Sequence, residues 1–82
     1  MYKNREQSII LLDILKSLRL KKNNTQKDIS ARLKRQYSFV CKYEKGEKRL
    51  DILEFTEICI ALGYDPLDVY KELLEKIKLN NK

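Results

Sequence analysis

Between Arg32 and Arg49 the chain reads RLKRQYSFVCKYEKGEKR, with seven basic and two acidic residues around one short amphipathic stretch. Val40 and Tyr43, with Phe39 beside them, fall at helical spacing and can face a core, while Tyr37, Ser38, Cys41 and Lys42 share the opposite side. Side chains of that kind can donate to and accept from base edges, so the polar face suits a helix that enters a DNA groove. Lys45, Lys48 and Arg49 surround Gly46 just past the expected helix end, a cluster suited to phosphate. On local pattern alone the stretch reads equally well as a solvated basic surface helix, because charge runs usually serve solvation. Its neighbours must decide.

The charge distribution bears on that choice. The 82 residues carry 18 Lys and Arg against 12 Asp and Glu, a net charge of +6. Residues 1–31 hold +4 and residues 32–49 hold +5, whereas 50–77 hold −5 and 78–82 hold +2. Positive charge therefore gathers in the first half, as a polyanionic partner would require. Catalysis and metal binding find little support: there is no His, no phosphate-cradling glycine loop and no nucleophile set. Cys41 and Cys59, 18 positions apart with no Cys-x-x-Cys, are expected to be free thiols. Cys41 reads as a small hydrophobe, with a redox role open only if nearby lysines lower its pKa. The apolar runs, Ile9 to Leu12 among them, are far short of the roughly 20 residues of a membrane span. A cytoplasmic protein with no cofactor and no small-molecule ligand is expected.

The elements that must position the basic helix are all helical, since one Pro and two Gly do not make a strand-and-turn grammar. A first helix is expected from Ser8 to Lys22, with fraying before it and a stop at Asn23-Asn24. Thr25 followed by Asp28 is an N-cap signature that opens a second helix at Gln26, ending near Leu33. A short turn then leads to a third helix, Tyr37 to Lys45, so that helix, turn and helix fall in the spacing of a helix-turn-helix. Asp51 with Glu54 opens a fourth helix that Gly63 closes after Leu62. Asp65-Pro66 opens a fifth, running to Lys78. The apolar sets of helices one and five are broader than a monomer needs. Ile9, Ile10, Leu11, Leu12, Val69 and Leu73 are therefore expected at a subunit interface. One domain of 82 residues, with its core at about 8–78, accounts for the chain.

The order of these pieces resembles the XRE family, the helix-turn-helix fold of the lambda repressor and Cro-type proteins. The pieces are Leu15-Lys16-Ser17-Leu18-Arg19, Thr25-Gln26-Lys27-Asp28-Ile29, Ser38-Phe39-Val40-Cys41-Lys42-Tyr43-Glu44-Lys45-Gly46-Glu47, and Arg49-Leu50-Asp51 leading to Ala61-Leu62-Gly63-Tyr64-Asp65-Pro66. The resemblance covers about Leu15 to Val69. It implies a five-helix, all-α domain whose third helix lies in the major groove of double-stranded DNA. Carried over by position, Gln26 looks like the first-turn phosphate ligand, and Tyr37, Ser38 and Lys42 occupy base-facing sites. Lys45, Lys48 and Arg49 would hold the backbone. Arg19 and Glu44 stand where the family joins helix one to the end of helix three, although both could simply be solvated. The sequence departs from the family pattern around the turn: Lys34 stands where glycine is usual, Asn24 where an apolar residue is usual, and Cys41 where a small hydroxyl residue is common.

The resemblance implies a homodimeric transcriptional regulator, a repressor or controller, reading a pseudo-palindromic operator. A second expectation of a different class stays open: an antitoxin-like interaction module whose apolar surface on helices one and five covers a partner protein.

Overall fold

The computed structural model describes residues 5–80, which form five helices: α1 (Arg5–Lys21), α2 (Gln26–Arg32), α3 (Ser38–Glu44), α4 (Ile52–Leu62) and α5 (Pro66–Asn80). Residues 1–4 of the expected fraying segment lie outside the described residues; Arg5 to Ser8 are already helical. Helix α5 continues two residues past Lys78, where the Asn80 side-chain amide donates to Glu6 at 2.8 Å and ties the last turn of α5 to the first turn of α1.

Local chemistry sets the helix starts. At α2 the Thr25 hydroxyl accepts from the Asp28 amide at 3.0 Å, and the Asp28 carboxylate accepts from the Thr25 amide at 2.8 Å. That contact holds the Asp28 carboxyl below its ordinary range. Asp51 and Glu54 form the same reciprocal box at α4, at 2.8 and 3.0 Å. Asp65 accepts from the Leu67 amide at 2.9 Å ahead of Pro66.

The helix ends share one device. Helices α1 to α4 each stop on a residue with positive φ, at Asn23 (57°), Lys34 (56°), Gly46 (82°) and Gly63 (88°). In each case the positive-φ residue and its successor donate back into the last turn, as in Lys34 N–H to Ala31 and Arg35 N–H to Ser30, both 3.0 Å. Asn tolerates this conformation, but a lysine there costs on the order of 1 kcal/mol relative to glycine. Lys34 therefore sits in the left-handed region at a steric cost, held by the two backbone bonds around it. At Gly63 a side chain would also displace the Lys22 ammonium, which reaches over it, donating to the Gly63 carbonyl at 3.1 Å and lying 4.4 Å from the Tyr64 ring centre.

The core lies between α1, α3 and α4. It takes Leu12, Ile14, Leu15 and Leu18 from α1, Ile29 from α2, Phe39, Val40 and Tyr43 from α3, and Phe55, Ile58, Cys59 and Leu62 from α4, closed by Val69 of α5. Burial pushes the Cys59 thiol up to about 12, so it stays a neutral thiol that packs as a small apolar side chain. Cys41 is half-buried, and both cysteines are free.

The expected subunit surface needs correction. Leu12 and Val69 are buried in the chain's own core, Leu12 beside the turn at Gly46 that follows α3 and Val69 on α5, which packs against α1 and α4. Ile10, Leu11 and Leu73 are half-buried against that core, and of the six only Ile9 is largely exposed, at 52%. The large apolar side chains that do face outward include Ile52 and Leu53 at the start of α4 and Leu67, Tyr70 and Leu74 on α5. Among the described residues no helix is long and apolar enough to cross a membrane.

Candidate nucleic-acid interface

Helix α3 has seven residues, too few to be stable alone, so its position depends on what grips it. Its N-cap, Tyr37, offers no side-chain acceptor to the first turn. Ser30 of α2 supplies one. Fully buried, its hydroxyl accepts from the Val40 amide at 3.3 Å and donates to the Tyr37 carbonyl at 3.2 Å. A cap lent by the neighbouring helix thus fixes both where α3 starts and how it lies on α2.

The other end of α3 is held by charge. Glu44 receives Arg19 Nε at 2.7 Å and Arg19 Nη2 at 3.0 Å, and the two side chains are only 8% and 5% exposed. Arg19 Nη1 also donates to the Asn24 carbonyl at 2.9 Å, and Gln26 Nε2 donates to Glu44 at 2.9 Å. Helix α1, the turn after it, the first residue of α2 and the last of α3 therefore meet at one ion pair. The hydrogen bond to Glu44 is the main cause that raises the Arg19 pKa above its ordinary value. Phe39 and Tyr43 pack edge to face beneath the helix, with ring centres 5.6 Å apart.

With its back and both ends fixed, α3 turns one face outward. Tyr37 is 74% exposed, Lys42 is exposed, and Ser38 and Cys41 are half-buried between them. Gln26 lines the same open groove as Tyr37, Ser38 and Cys41, so the residue placed at the phosphate by resemblance adjoins those placed at the bases. One amide hydrogen of Gln26 is occupied by Glu44, which aims the rest of the group.

The basic residues after α3 divide. Lys45 and Arg49 border a second groove, which reaches Arg5 and Ile9 of α1. Lys48 lies on the other side, beside Lys42 and Ser38, where its Nζ is 3.1 Å from Glu54 and donates to the Arg49 carbonyl at 3.2 Å. Lys42 and Lys45 make no ion pair among the described residues.

Three residues acquire roles here that composition does not announce. Ser30 sits mid-helix and signals only by being polar at an inward position. Arg32, one of the seven basic residues of the stretch, donates to the Ala61 carbonyl and to Asn24 Oδ1, both at 3.0 Å, and so braces α2 rather than facing outward with α3. Arg35 lies over the Phe39 ring at 4.8 Å, beside Glu54 and Glu57.

The fold that carries these residues is found in solved structures. An XRE-family like protein from Pseudomonas syringae pv. tomato str. DC3000 shares 39% identity over 88% of each chain, with a TM-score of 0.84. The chain belongs to the XRE family. The two XRE-type structures that follow are more distant and speak to the fold alone. The restriction-modification controller protein C.Esp1396I is 20% identical over 87% of this chain and 92% of its own, with a TM-score of 0.78. The clp gene regulator ClgR from Corynebacterium glutamicum is 23% identical over 92% of this chain and 80% of its own, with a TM-score of 0.76. No protein-family model matches the sequence, and no curated protein does. The XRE assignment fixes the architecture as all-α with α2 and α3 as the helix-turn-helix.

Proposed function

We propose that this XRE-family chain is a sequence-specific transcriptional regulator that binds double-stranded DNA with α3 in the major groove. The observation that carries the reading is the combination at α3: a seven-residue helix clamped at both ends, by Ser30 and by Arg19 with Glu44, that turns Tyr37, Ser38 and Lys42 outward. Clamping of this kind is what base readout needs, because hydrogen bonds to base edges discriminate only from a fixed position. In this reading Gln26, Lys45, Lys48 and Arg49 hold the phosphates and set the register. A controller protein and a gene regulator among the structures of similar fold agree with a regulatory role. The protein acts in the cytoplasm, as a binding protein rather than an enzyme, and works by occupying a promoter.

The regulator is a homodimer in this account. Its contact surface is the outward side of the α1, α4 and α5 groove, where half-buried Leu11 and Leu73 lie beside exposed Ile52 and Tyr70. Two copies of α3 would then reach successive turns of the duplex, about 34–36 Å apart, on a pseudo-palindromic operator. The same exposed apolar surface favours one other reading, an antitoxin-like module that covers a partner protein. Selection of bound sequences from random duplex DNA, paired with sedimentation of the isolated protein, separates the two. A two-fold symmetric sequence bound by a dimer supports the regulator; a monomer that enriches no sequence overturns it.

A further inference from the structure

Glu54 of α4 does two things at once. Its Oε1 accepts from the Asp51 amide at 3.0 Å, closing the capping box, so the carboxylate is fixed by the backbone. Its Oε2 faces outward to two cations, Lys48 Nζ at 3.1 Å and Arg35 Nη2 at 3.9 Å, while the side chain is only 12% exposed. Both cations flank the Phe39 ring, at 4.8 Å for Arg35 and 6.0 Å for Lys48. They border a shallow cavity of about 190 Å³ that Ser38 and Lys42 complete. Three cationic side chains thus line a small cavity beside the outward face of α3; the backbone-anchored Glu54 carboxylate lies behind Arg35 and Lys48, and Arg35 also meets the more exposed Glu57 at 3.8 Å. Capping does not demand that charge, because Gln closes the box as Glu does.

We infer that Glu54 is a built-in stand-in for a DNA phosphate, holding Arg35 and Lys48 in the free protein and competing with the duplex backbone for them. Arg35 thereby joins the phosphate-binding set, and the carboxylate lowers affinity for any polyanion in this cavity. The competition falls most heavily on non-specific complexes, whose free energy comes almost entirely from phosphate contacts. A specific complex adds base contacts that Glu54 does not oppose, so the residue widens the gap between operator and bulk DNA. The inference rests on the DNA-binding reading above.

The test uses Glu54→Gln, which keeps the capping acceptor and removes only the charge, with Glu75→Gln on the exposed side of α5 as a control of equal net charge. Binding to a scrambled duplex is titrated at several salt concentrations. Glu54→Gln is expected to bind it about three- to tenfold more tightly than wild type at low salt. The fall of log K with log salt should steepen by about 0.9 for each phosphate gained. Glu75→Gln should do much less. In a background carrying Arg35→Gln and Lys48→Gln, the extra gain from Glu54→Gln should shrink to that of the control. If wild type binds the duplex but Glu54→Gln binds no tighter than Glu75→Gln, or binds more weakly, Glu54 is not a competitor and the inference fails alone. If wild type binds no duplex at low salt, the DNA-binding reading fails, and this inference with it.

Discussion

Ser30 caps a helix to which it does not belong: its buried hydroxyl accepts the Val40 amide at 3.3 Å and so finishes the first turn of α3 from the side of α2. Removing that oxygen leaves a buried N–H without its acceptor, which costs about 1–3 kcal/mol. Ser30→Ala should therefore lose about that much stability in urea unfolding, far more than a serine on an exposed helix face. A loss below about 0.5 kcal/mol would show that α3 is placed by packing alone.

At the opposite end of α3, taking away either Arg19 or Glu44 strands the other charge in a site that is almost closed to water. Breaking a buried pair in this way costs about 3–5 kcal/mol, against about 0–1 kcal/mol for an exposed one. Arg19→Ala and Glu44→Ala should each fall in the higher range. Glu44→Ala also deprives Gln26 of its acceptor and should disturb the start of α2, which amide exchange at Lys27 and Asp28 would report. Losses under about 1 kcal/mol for both variants contradict a buried clamp.

The Tyr43 hydroxyl is the opposite case, a buried polar atom with no hydrogen-bond partner among the described residues. Burial raises its pKa well above that of an ordinary phenol, which records how poorly the site solvates a charge. Nothing is lost when such a group is deleted in place, and its desolvation is recovered. Tyr43→Phe should be as stable as wild type or more stable by up to about 1–2 kcal/mol in thermal unfolding. A clear destabilisation would mean that the hydroxyl has a partner in solution.

These sites differ in how far they could be read from the residues alone. Thr25 with Asp28, Asp51 with Glu54, and Asp65 with Pro66 act over three residues or fewer, so the helix starts were legible directly. The unusual backbone at Lys34 was legible only through the family resemblance, because no local signal distinguishes a lysine with positive φ from one without it. Two residues expected at a subunit surface, Leu12 and Val69, belong instead to the chain's own core: residue type does not tell which neighbour covers a side chain. Leu12 is covered near the turn at Gly46 and Val69 where α5 folds back on α1 and α4, contacts between distant parts of the chain. The role of Ser30 and the second role of Glu54 are not legible locally, because those partners lie on other elements and a capping residue shows only one of its two oxygens to the local pattern.

The division of labour along the outward face tests the account most directly. Lys42 is taken to read a base, whereas Lys48 and Arg49 are taken to hold phosphates, so their removal should differ in kind and not only in size. The measurement is a titration of Lys42→Ala and Lys48→Ala against a selected operator and a scrambled duplex, at several salt concentrations. Lys42→Ala is predicted to lose about 1–3 kcal/mol of discrimination at one symmetric pair of operator positions while binding scrambled DNA almost as before. Lys48→Ala is predicted to weaken both duplexes alike and to reduce the salt slope by about 1 per contact removed. If both variants weaken both duplexes equally, α3 is not the reading helix and the docking described here is wrong.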